Sequence, residues 1–343
     1  MSGHSQARRV AVPLHIVQRA PVPRAGNAIH ALAGRTMGTR WSLKLVAPAT
    51  APLDDLSRSI DSALDRIIAQ MSTWEADSDI SRFNRATAGT WHPLPHEFFT
   101  VLAYALHVAR DSEGAYDPTI GRLVDLWGFG PARAPRAIPH AAEIKALRDG
   151  GDWRSVELDL DRHAVRQPGG IHLDLSSVAK GYAVDALAEI VRDAGFANFL
   201  VEIGGELRGE GMKPDGMPWW VALTKPPPAT ANAPPLADLV IALNGLAVAT
   251  SGSAEHAFED GGRIYSHTID PRTGAPVAHG LVSVSVLHAK CMHADALATA
   301  LSVLGPQQGL AHAQRLGLAA RFVVADQHGF QEVLTPRLAA MLA

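Results

Sequence analysis

Cysteine is nearly absent from this sequence: one residue of 343, Cys291, carries a thiol. A lone cysteine excludes an internal disulfide framework and any thiolate-rich metal site, although an exported protein can also do without disulfides. Charge of one sign is missing too. Thirty-one Lys and Arg stand against 34 Asp and Glu, a net charge of −3, which leaves no electrostatic footprint for nucleic acid. No apolar run is long enough to cross a bilayer. The short apolar run near the start is broken by Pro13 and His15 and makes a poor secretory leader. The expectation is a disordered N-terminal extension over residues 1–33 on a cytoplasmic protein, with a periplasmic location as the alternative should a misassigned start hide a leader. Nucleotide signatures are lacking as well. There is no G-x-x-x-x-G-K-[ST] loop, and "GGELRGEG" at Gly204–Gly211 has neither the spacing nor the following helix of a dinucleotide fingerprint. The sixteen histidines include no H-E-x-x-H pair, and Cys291 with His293 is too small a set for zinc.

What is present is apolar substance, 47% of the residues, in a chain long enough for one large domain or two ordinary ones. Trp41, Leu43 and Leu45 alternate with Arg40, Ser42 and Lys44, the period of a half-buried strand, so folding is expected to start near Gly34. Leu53, Leu56, Ile60, Leu64, Ile67 and Met71 recur at helical spacing, and "PHEFFTVLAYALHVARDS" reads as a second helix. "GAYDPTIGRLVDLWGFGP" combines Gly and Pro with aromatics and predicts a structured, packed loop. Further helices are expected over His140–Arg148, Val178–Ala194, His293–Leu304 and Gln308–Leu316. Strands are expected between Val156 and Leu175 and at Phe199–Ile203, Glu206–Gly209, Trp219–Leu223, Leu239–Leu243, Arg263–Ile269, Val282–Leu287 and Ala320–Ala325. The Pro-rich stretch Lys225–Asp238 predicts a solvated loop. Helices and strands mix without a βαβ beat, so the fold class is α+β with a largely antiparallel, mixed sheet flanked by helices.

Three stretches hold candidate chemistry. "SVAK", Ser177–Lys180, matches the S-x-x-K of serine acyl-enzymes, but their companion motifs are missing and a four-residue match is common by chance. In "HADALATAL" a carboxylate, Asp295, and a hydroxyl, Thr299, lie four apart on one helix face, a pairing that suits Mg²⁺ and equally a helix-dipole acid beside a back-bonding threonine. "YSHTIDPRTGAPV" gathers His267, Asp270 and Arg272 at one bend, with a proton-transfer site and a hydrogen-bonded turn as its two readings.

Taken in order, "TMGTRW", "MSTWEADSDISRFN", "GAYDPTIGRLVDLWGFG", "LDLSSVAKGYAVD", "EIGGELRGEG", "ATSGS", "SHTIDPRTGAP" and "CMHADALATALSVLG" resemble the FAD:protein FMN transferases of the ApbE type, from Gly34 to Gly305. The resemblance implies one T-fold-like domain over residues 34–343. It also implies Mg²⁺-dependent transfer of FMN from FAD, through a phosphoester, to a Ser or Thr of an acceptor flavoprotein, with release of AMP. It makes Asp295, Thr299 and the backbone carbonyl of Ser177 the metal ligands, with Ala298 standing where some relatives carry a second carboxylate. Trp74 becomes an aromatic face against the flavin. Met37, Ala115, Tyr116, Asp117, Asp174, Lys180, Thr250, Ser251 and Ile269 become cofactor contacts. His267 becomes the general base, with Asp270 orienting the imidazole or its segment. An FAD pyrophosphatase and a non-catalytic flavin-binding protein are the alternatives.

Overall fold

The computed structural model describes residues 9–15, 21–131, 138–226, 236–252, 257–326 and 329–343. Its frame is one eight-stranded sheet: β1 (Asn27–Thr36), β2 (Thr39–Pro48), β3 (Phe199–Ile203), β4 (Glu206–Glu210), β5 (Leu246–Gly252), β6 (Leu281–His288), β7 (Ala319–Asp326) and β8 (Gly329–Leu334). Spatial order follows chain order from one edge to the other, and every neighbouring pair is antiparallel. The α+β expectation therefore holds.

Helices cover one face: α1 (Asp54–Met71), α2 (His96–Asp111), α3 (Ala179–Asp193) and α4 (Cys291–Arg315). Of the residues expected at helical spacing, Leu56, Ile60, Leu64, Ile67 and Met71 are buried in α1, while Leu53 stands at its N-cap and is half-buried. They meet the inward side chains of β2, Leu43, Leu45 and Ala47, in the main core. Each fully buried Ile or Leu there contributes roughly 1.5–3 kcal/mol of burial free energy. The predicted break between two C-terminal helices is real. Gly305 (φ 80, ψ −177) kinks α4, and beyond the kink Gly309 packs so closely on the Leu301 carbonyl that a Cβ there would lie 2.6 Å from its oxygen.

The other face of the sheet carries a second core, in which Val46, Val248, Leu287 and Ala319 meet Trp219, Leu239, Ile241 and Leu243. Those last residues belong to a three-stranded sheet in which Leu239–Leu243 lies between Trp219–Ala222 and Arg9–Ala11. Order thus begins before the expected boundary at Gly34. β1 starts at Asn27, and Arg9–Ala11 pairs in parallel with Leu239–Ile241. β1 is an edge strand whose only deeply buried side chain is Thr36, so it lacks the apolar alternation that marks a strand in sequence. Most of the expected Pro-rich loop, residues 227–235, lies outside the described residues. Among the described residues no helix is long and apolar enough to cross a membrane.

Candidate active site

Two hairpin turns mark one end of the sheet. Met37 (φ 47) and Gly38 (φ 71) join β1 to β2, and Gly204 (φ 59) and Gly205 (φ 101) join β3 to β4. Two-residue hairpins favour left-handed backbone because it matches the strand twist. Glycine meets that demand freely, whereas Met37 adopts it at a steric cost. The second turn touches the start of β2: the Gly204 N–H donates to the Arg40 carbonyl at 3.1 Å. At the same end β5 continues past its pairing of Val248 with Leu207 to Thr250 and Ser251. The Thr250 hydroxyl there shares a 2.8 Å hydrogen bond with Ser285 of β6.

The helix pair brings the carboxylates to this end. The Asp185 carboxylate of α3 accepts the N–H groups of Cys291 and Met292, each at 3.0 Å, and so caps the start of α4. One turn back along α3 the Gly181 N–H donates to Asp295 Oδ2 at 2.9 Å. The backbones approach so closely at Gly181 that a Cβ there would lie 2.5 Å from the Cys291 carbonyl oxygen. This antiparallel register leads, one turn further on, to Ser177 and Thr299, both half-buried. Asp295 is 6% exposed. Burial pushes its carboxyl up, against the pull of the Lys180 ammonium and the Gly181 N–H.

Lys180 reaches across to β4, where its Nζ donates to Glu206 Oε1 at 2.8 Å. Glu206 is 3% exposed, and its other oxygen, Oε2, is buried without a hydrogen-bond partner. Burial and the nearby Asp295 charge push the Glu206 carboxyl up. Burial opposes the charge of Lys180, yet Glu206 and Asp295 together hold its pKa above the ordinary lysine value. Two buried carboxylates thus face one ammonium.

The segment from Gly114 to Gly130 joins this cluster to the histidine turn, packed as expected but with a short helix, Gly121–Leu126, inside it. Tyr116, 2% exposed, accepts a 3.1 Å hydrogen bond from the Ser177 hydroxyl. Asp117 accepts from the Thr119 N–H (2.8 Å), the Thr119 hydroxyl (2.7 Å) and the Trp153 N–H (3.3 Å). Burial outweighs those bonds and pushes Asp117 up to about 6. The Asp174 N–H donates to the Pro118 carbonyl, and the Asp174 carboxylate accepts the Ser176 N–H ahead of α3. Trp127 Nε1 donates to the Gly274 carbonyl at 2.8 Å, tying the segment to the second half of the histidine turn.

In that turn both carboxylate oxygens of Asp270 accept from the Arg272 guanidinium at 2.9 Å, while the Asp270 carbonyl accepts the Gly274 N–H at 2.7 Å. Asp270 therefore fixes the segment through Arg272. His267 is half-buried and lies edge-on to Phe129, ring centroids 6.4 Å apart. Ile269, 3% exposed, packs with Leu123 and Trp127. Ala115 is fully buried. Trp74 stands apart from the core. It is 60% exposed on the turn after α1, which the Ser78 hydroxyl closes by donating to the Ser72 carbonyl at 2.6 Å.

Sequence reasoning assigned no role to Glu206. Its signal is an acid directly after Gly204-Gly205, on the same strand face as Arg208 and pointing under the helices. Among the described residues no three His, Cys, Asp or Glu side chains converge to hold a metal by themselves.

An antiparallel meander thus carries a closely packed helix pair above an acidic, lysine-bearing sheet end, and the fold is shared with flavinyl transferases of solved structure. The chain belongs to the ApbE family, which it matches over residues 37–322. It resembles the Pseudomonas stutzeri flavinyl transferase ApbE in its apo form, with TM-score 0.84, 38% identity, and coverage of 92% of this chain and 97% of that one. The Vibrio cholerae flavin transferase ApbE gives TM-score 0.84 at 35% identity, covering 92% and 99%. In sequence it is 38% identical to the FAD:protein FMN transferase of a Vibrio cholerae O1 strain over 304 residues, 88% of this chain and 89% of that protein. To the FAD:protein FMN transferase of Escherichia coli K12 it is 32% identical over 325 residues, 94% and 92%.

Proposed function

We propose that this chain is an FAD:protein FMN transferase that joins the FMN half of FAD to a Ser or Thr hydroxyl of an acceptor flavoprotein and releases AMP, with Mg²⁺ as its cation. The observation that carries the cation reading is the buried cluster of Asp295, Glu206 and Lys180, in which two carboxylates meet one ammonium and Glu206 Oε2 has no partner. Such an excess of buried negative charge is costly unless a cation or a proton offsets it, and burial has already pushed Glu206 up to about 8. An oxygen-only set suits a hard ion, and Asp295, Thr299 and the Ser177 carbonyl would hold it. When bound, the ion neutralises pyrophosphate charge that would otherwise repel the attacking oxygen.

The chain's own residues supply the remaining roles. Trp74 offers an open aromatic face to the flavin ring. Met37, Ala115, Tyr116, Asp117, Asp174, Thr250, Ser251 and Ile269 shape the FAD pocket, and the Lys180 ammonium, held at Glu206, supplies a cationic contact for flavin or phosphate. The His267 imidazole takes the proton of the acceptor hydroxyl, whose oxygen bonds to the FMN phosphorus as the bond between that phosphorus and the bridging oxygen breaks. AMP leaves with that oxygen. Asp270 serves by fixing the turn through Arg272.

The test incubates the chain with FAD, Mg²⁺ and a candidate acceptor and looks for flavin fluorescence that stays with the denatured acceptor. Free FMN and AMP formed without regard to acceptor would make it a pyrophosphatase, and FAD that is bound but unchanged would make it a binding protein. His267→Ala should keep its FAD affinity and lose roughly 10²–10⁴-fold in single-turnover transfer, the usual worth of a general base. Affinity falling in step with rate would place His267 among the binding residues instead.

A further inference from the structure

Between the sheet and the helix pair runs a row of buried charges in an otherwise apolar core. Glu206 and Arg208, two apart on β4, point the same way beneath α3. Arg208 is fully matched, donating to Asp185 at 2.6 Å and to Glu210 at 2.9 Å. Asp185 in turn caps α4, so this half of the row is structural. The other half is arranged differently. Lys180 has two carboxylates within electrostatic reach, Glu206 and Asp295, and its hydrogen bond goes to Glu206. Lys180 is also the strongest charge acting on Asp295, which is left with one hydrogen bond, from the Gly181 N–H.

We propose that Glu206 is a positioning residue of the transfer site: by holding the Lys180 ammonium on β4 it keeps that ammonium from pairing with Asp295 and leaves the Asp295 carboxylate open to a divalent cation. An ammonium on the residue next to Gly181, whose N–H holds Asp295, would compete with the ion at high effective concentration and without diffusing away. Glu206 removes the competitor by giving it a partner of equal charge on a rigid strand, set directly after the Gly204-Gly205 turn. The inference rests on the reading of Asp295 as a cation ligand.

The test measures Mn²⁺ binding to the full chain without FAD, by the loss of the free-ion resonance signal, in wild type, Glu206→Gln, Lys180→Met and the double variant. Glu206→Gln should weaken Mn²⁺ binding roughly 10–100-fold, the usual cost of losing a group that orients a ligand. Adding Lys180→Met should restore it nearly to wild type, because the competing ammonium is gone. A purely structural Glu206 would give no such rescue. Wild-type affinity in Glu206→Gln, or a double variant that stays weak, overturns the proposal. Should Glu206→Gln fail to fold, Lys180→Met alone decides: binding at least as tight as wild type supports the proposal, and weaker binding overturns it. Asp295→Asn separates the two readings, since Mn²⁺ binding that survives it removes Asp295 as a ligand whatever Glu206 does.

Discussion

Asp117 keeps three hydrogen bonds in a place that water scarcely reaches, 8% exposed, and burial still pushes its carboxyl from 3.8 to about 6. A folded-state pKa above the unfolded one means that the fold favours the protonated form. The stability this contributes is complete below the unfolded value and is lost as pH rises through about 6. Urea unfolding from pH 4 to 7 should therefore show wild type losing up to about 3 kcal/mol relative to Asp117→Asn. A parallel pH dependence in both proteins would place the ionised group elsewhere. Trp74 makes the opposite case. Its exposure predicts that Trp74→Ala changes stability by no more than about 0.5 kcal/mol, while the lost stacking face costs about 1 kcal/mol of FAD binding, roughly fivefold in Kd. A fluorescence titration beside a thermal melt checks both. At this scale sequence reading singled out residues in ordered motifs, such as Asp295 and His267, which the structure sets on the helix pair and in the Asp270 turn. It left out Glu206, because an acid at the start of a strand looks solvated until the helix above it is placed.

α3 and α4 set the site by how closely they approach. At Gly181 an added Cβ would lie 2.5 Å from the Cys291 carbonyl oxygen and 2.7 Å from the Asp295 Cβ. Gly181→Ala must push the helices apart, at about 1–3 kcal/mol. The same displacement draws the Gly181 N–H away from Asp295 Oδ2, so Mn²⁺ affinity should fall along with stability; a stability loss that leaves metal binding intact would uncouple the helix spacing from the site. The long helices were legible because their apolar residues repeat at helical spacing, and the break in α4 because Gly305 and Pro306 stand together. Strands β1, β5 and β8 and the short helices Asp79–Asn84 and Gly121–Leu126 were not. β1 lies at a sheet edge with almost nothing buried, and the helices are too short to show a period.

Across the whole molecule the two cores have separate duties. The helical face carries the candidate site, and the second core, with Arg9–Ala11 and Leu239–Leu243, braces the sheet from behind. Removing residues 1–12 should lower the melting temperature by a few degrees and leave FAD affinity unchanged; a loss of FAD binding would show that the brace shapes the pocket. Val10 and Val12 are also bound to the far end of the sequence: the Val12 N–H donates to the Met341 carbonyl at 2.8 Å, and the Ala343 N–H to the Val10 carbonyl at 3.0 Å. In the order of synthesis Arg9–Ala11 precedes its strand partner Leu239–Ile241 by more than two hundred residues and its contacts at Met341 by more than three hundred. The brace is therefore assembled late, and until those residues arrive Arg9–Ala11 is an unpaired strand that other chains or chaperones can engage.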